Sequence, residues 1–212
     1  MKPWHALALL LSCMAATACA SGAHRVASLA DPALAFRVDP ALAALPPMRF
    51  PIEGKTDADR RLFVEARDGV VRRMLVLQFE TVQPGSDFRF VFPPKPPRSL
   101  GPDVYRSGAY AYDDVLAAER APGLEAARTR AALLQHGLQP ARYWHVARLA
   151  RVADPAGMHE VIVFYMENAD ARYPQGLVNV DEDGDGLLDA AETARLWRAL
   201  EASVEARPLA AR

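Results

Sequence analysis

Two β-rich runs meet at Asp68-Gly69, and that junction constrains the fold more than any other stretch of the chain. Residues 61–66 and 70–82 carry aromatic, aliphatic and β-branched side chains on either side of it. Asp-Gly supplies two positions that tolerate positive φ, which the tightest hairpin turns demand. A long antiparallel hairpin is therefore expected near the middle of the chain. Residues 88–92 (FRFVF) read as a third strand. Residues 142–153 and 160–168 read as a second hairpin around Asp154-Pro155-Ala156-Gly157. Between them, residues 112–119 and 122–136 have helical patterns, the latter opening on Pro122 and stopping at Gly137. Its inner face is expected along Leu124, Ala127, Ala131 and Leu134. The proline-rich residues 93–98 read as an extended spacer. This order predicts an α+β fold: an antiparallel sheet of about five strands with helices on one face.

Residues 181–192 read Asp-Glu-Asp-Gly-Asp-Gly-Leu-Leu-Asp-Ala-Ala-Glu. Six carboxylates in twelve residues repel one another unless a cation gathers them. The string resembles the EF-hand calcium loop at every demanded position. Calcium takes about six to eight oxygen ligands. The resemblance assigns carboxylates to Asp181, Asp183 and Asp185, a sharp turn to Gly186, and a backbone carbonyl to Leu187. It gives Asp189 a ligand role through water and makes Glu192 the bidentate closing ligand. Asp189 with Glu192 also forms a capping-box pattern at a helix start. From Ala190 to about Ala206, Leu196, Trp197, Leu200 and Val204 form an apolar stripe, and Pro208 ends it. Upstream, Pro174 and Gly176 disfavour an entering helix. A loop-then-helix clip is expected, with calcium structural more than regulatory.

The N-terminus begins with Lys2 and an apolar stretch to about Ala20, too short to span a bilayer. Residues 1–18 have the anatomy of an export signal. Ala16-Thr17-Ala18-Cys19 resembles a bacterial lipoprotein processing box, which implies lipidation of Cys19 and a membrane anchor at the periplasmic face of the outer membrane. Cleavage without lipidation would leave a secreted or periplasmic protein. Residues 19–48, rich in Ala and Pro, read as a tether with helical turns at 31–35 and 39–43, each opened by Asp-Pro. An α+β domain at 49–170 follows, then the calcium loop and C-terminal helix at 171–212.

Twenty-five basic residues against 26 acidic give no electrostatic case for nucleic acid. A protein partner is left open. Of the histidines beyond the signal (His24, His136, His145 and His159), none has zinc-ligand spacing. No nucleophile elbow, phosphate loop or dinucleotide glycine pattern is present. Asp113-Asp114 sit where a helix cap is expected. The alternative to a calcium-binding envelope protein is a hydrolase with structural calcium, requiring His145 or His159 to meet a carboxylate and a serine.

Overall fold

The computed structural model describes residues 23–27, 34–92, 95–178, 180 and 185–208. Eleven strands and three helices alternate along them. In chain order they are β1 (His24–Ala27), β2 (Leu34–Val38), β3 (Ala43–Ala44), β4 (Met48–Ile52), β5 (Thr56–Arg67), β6 (Val70–Val82), β7 (Pro97–Leu100) and β8 (Asp103–Asp113). Then come α1 (Asp114–Arg120), α2 (Glu125–Gln135), β9 (Tyr143–Val152), β10 (His159–Asn168), α3 (Ala190–Ser203) and β11 (Val204–Pro208).

The fold is mostly β, which corrects the expected α+β class. Eight strands form one antiparallel sheet in the order β3-β5-β6-β10-β9-β8-β7, with β4 also on the outer edge of β5. Strands β1, β2 and β11 form a second, three-stranded sheet. The central hairpin β5–β6 turns at Asp68 and Gly69 with φ of 53° and 76°, the paired positive angles the turn requires.

Alternation along β6 builds two cores. Leu75, Leu77 and Phe79 point to one face, where they meet the small sheet and α3. Met74 and Val76 point to the other, where Leu133 of α2 and Trp144 and Val146 of β9 join them. Phe36 of β2 packs against Phe79 with ring centroids 6.0 Å apart.

Several expected elements change identity. Residues 34–48 are no tether: Leu34, Phe36, Val38 and Leu42 are fully buried. The Asp39-Pro40 repeat makes a turn, with the Asp39 carboxylate accepting from the Ala41 N–H, rather than a helix. Residues 88–92 are an irregular segment in which the Phe90 N–H bonds the Gly157 carbonyl. Tyr112 lies in β8 rather than in a helix, and Asp113, the last residue of that strand, caps α1 by accepting from the Leu116 N–H at 3.0 Å. Helix α2 starts at Glu125 and buries Thr129 and Leu133, while Leu134 of the expected inner face is half exposed. Helix α3 stops at Ser203, and its stripe continues into β11, where Val204 and Ala206 remain buried. The C-terminal segment thus shares the core of the domain. No helix among the described residues is long and apolar enough to cross a membrane.

Candidate functional site

The C-terminal loop is held to the sheet by backbone. Gly186 and Ala111 of β8 exchange two hydrogen bonds, each 2.7 Å. A Cβ at Gly186 would stand 3.1 Å from the Ala111 Cβ, so close approach to β8 is what demands glycine here. The sharp turn assigned to Gly186 does not rest on a positive φ, since the residue lies outside the left-handed region. Leu187 is 75% exposed, as suits a residue asked only for its carbonyl. Leu188 packs against the core. Asp189 caps α3 by accepting from the Glu192 N–H at 2.8 Å. Asp181, Asp183 and Cys19 lie outside the described residues.

Glu192 does not complete the capping box. Its carboxylate turns instead to Arg195 and His145. Arg195 donates to it through Nε and Nη2 at 3.1 and 3.0 Å. His145 Nδ1 lies 2.8 Å away, and His145 Nε2 meets the Tyr173 hydroxyl at 2.9 Å. Arg195 above all, with His145, holds the Glu192 carboxyl down at about 2. Arg195 also reaches Glu167 at 2.6 Å, and Glu167 accepts from the Tyr165 hydroxyl. A polar chain therefore runs from β10 through α3 to β9.

The donors fit a hard cation: Asp185, the Leu187 carbonyl, Asp189 and Glu192 all offer oxygen. Among the described residues no cluster of three or more ligating side chains has formed. Glu192 would have to leave Arg195 to join the others. Arg195 would keep Glu167, so that exchange strands no buried charge. His145 meets a carboxylate but a tyrosine in place of serine. Burial pushes the Tyr173 phenol up, away from nucleophilic character. His159 sits near Thr81 on an exposed strand end.

Sequence reasoning missed a second polar cluster. On the helix-covered face, the strands pass from apolar to charged: Met74 and Val76, then Gln78 and Glu80 on β6; Met166, Phe164 and Ile162, then Glu160 on β10. Arg60 of β5 lies opposite Gln78, and Arg148 of β9 opposite Phe164. Glu80 and Glu160 are direct cross-strand neighbours. Glu80 accepts from Thr56 and Gln78 at 2.9 and 2.6 Å. Glu160 faces Arg148 at 3.6 Å. Burial, then the neighbouring Glu80, lifts the Glu160 carboxyl to about 8. Asp114 pairs with Arg130 at 2.7 Å, yet burial lifts it to about 6. Helices α1 and α2 cover a cavity of about 330 Å³ over this face. The signal for this cluster was present as polar residues at every second position of β-rich runs.

Compared with known proteins, the chain matches no family model, no curated protein and no solved structure.

Proposed function

We propose that the protein is an exported, lipid-anchored envelope protein whose C-terminal loop takes calcium as a structural clip. The observation that carries this reading is that the second half of the carboxylate-rich string is anchored at both ends. On one side Gly186 is stitched to β8. On the other, α3 begins at once and buries Leu196, Trp197 and Leu200. Bound calcium would supply the positive charge that lets the loop's carboxylates converge. Asp181, Asp183, Asp185, Asp189, Glu192 and the Leu187 carbonyl would hold it. Glu192 would then be shared between loop and sheet, with His145 still able to donate to its second lone pair. Exterior modules of this kind bind weakly, at about 10⁻⁴–10⁻³ M.

Calcium at millimolar concentration should raise the melting temperature, and Asp181→Ala should abolish the rise. Asp181 is the cleaner probe, because Glu192 supports His145 and Arg195 without metal. A melting curve indifferent to calcium would overturn the reading. For the anchor, mass spectrometry of the mature N-terminus should find Cys19 lipidated. Between Cys19 and β1 stand only residues 20–23. At about 3.5 Å per residue, such a lead would keep the small sheet within roughly 15–20 Å of the bilayer.

A further inference from the structure

Arg60 lines the cavity beneath α1 and α2 and is only 5% exposed. Its guanidinium donates to the side-chain carbonyl of Gln78, and its Nε has no hydrogen-bond partner among the described residues. The Phe164 ring lies 5.5 Å from it. The carboxylates nearby act on it only through space, Glu125 above all and then Asp114 and Glu80; Asp114 is held by Arg130, and Glu80 by Thr56 and Gln78. Burying a cation without a close counter-ion costs several kcal/mol in folded proteins. Burial accordingly pulls the Arg60 guanidinium below its ordinary range. A fold that keeps such a charge beside an open cavity invites an anion from outside.

We propose that this cavity binds a small amphipathic monocarboxylate, with Arg60 taking the carboxylate and Met74, Tyr112, Val146 and Met166 holding the apolar body. A guanidinium presents two parallel donors that match the oxygens of a carboxylate. The rest of the wall is mostly aliphatic, aromatic or thioether, which selects against a fully hydrated ligand. A single negative charge fits better than two, because Glu125 and Asp114 also line the space. About 330 Å³ holds roughly ten water-sized groups at about 30 Å³ each, so the body is the size of a short acyl or phenylalkyl chain. Protonation of Glu160, lifted to about 8 by burial, leaves the polar end of the face more positive at neutral pH.

The test uses the full chain, with calorimetry and thermal melting against 3-phenylpropionate and hexanoate. The corresponding alcohols and inorganic phosphate serve as controls. The acids should bind saturably, at least tenfold more tightly than the alcohols, and phosphate should give no shift. Arg60→Met should weaken the acids at least tenfold while raising the melting temperature of the ligand-free protein, since a stranded charge is gone. Ala126→Phe, which fills the cavity and leaves Arg60 in place, should also abolish binding and decides the matter if Arg60→Met does not fold. Equal binding of acids and alcohols, a phosphate shift that depends on Arg60, no response to either acid at 10 mM, or unchanged affinity in Ala126→Phe would each overturn the proposal. None of these outcomes depends on calcium.

Discussion

Glu160 keeps a proton that an unfolded carboxyl would release. It is buried, faces Glu80 across the strand pair, and has Arg148, Arg106 and Glu125 as its other charged neighbours. The folded carboxyl titrates at about 8, and the unfolded one near 4.5. Between those values the folded state binds more protons, so stability falls as pH rises. Below the lower value both states are protonated and the effect vanishes. Glu160→Gln mimics the protonated group and removes the titration. The variant should melt higher than the parent at pH 8, with the two converging near pH 4.5. A displacement of this size is worth on the order of 2 kcal/mol or more. Parallel melting curves for the two proteins across that range would refute this account of Glu160.

Helix α3 is bound to the sheet by more than its apolar stripe. The chain Tyr165–Glu167–Arg195–Glu192–His145–Tyr173 ties it to β10 and β9. Glu192→Ala leaves His145 with an unmet nitrogen in a buried setting, while Arg195 keeps Glu167. In calcium-free solution the loss should be roughly 1–3 kcal/mol by urea unfolding. Asp181→Ala should cost much less under the same conditions.

The elements also divide by how far their cause lies from them in sequence. Strand β6 was legible to the residue, because its own side chains fix both its period and its turn. Strand β2 was not: Leu-Ala-Phe-Arg-Val follows an Asp-Pro that reads as a helix start, and only β1 and β11 make it a strand. Strand β8 was hidden by Ser107-Gly108 in its middle, and β11 by continuing the spacing of α3 into an extended segment. The carboxylate-rich string at 181–192 stands out in sequence because its residues are contiguous. The Arg60 cavity does not, because its charged side chains come from β5, β9, α1 and α2 and meet only in the folded chain.

At the scale of the whole molecule, one large sheet carries a different cover on each face. The small sheet and α3 make a dry core with Leu75, Leu77 and Phe79. The helices α1 and α2 make a looser, partly charged cover with room beneath it. Stability and binding are thus separated onto opposite faces of the same strands. Truncation after Ser203 removes β11 and with it the buried Val204 and Ala206. It leaves the backbone of β2 unpaired along one edge, beside Phe36 and Val38. The truncated chain should bind a hydrophobic dye and elute as aggregates in size-exclusion chromatography, where the full chain does neither. Removing residues 209–212 alone should change neither reading.

The pairing of β2 with β11 joins Val38 to Val204, 166 residues apart in sequence. Contacts so distant in sequence form late, because loop closure must come before they contribute. Strand β2 gains its β11 edge only once everything between them in sequence has been made. The central hairpin can assemble from its own residues, but β2 has only β1 beside it until residues 204–208 pair. The small sheet therefore closes only when residues 204–208 are free to pair, after the central hairpin, whose contacts are local, has had its chance to form.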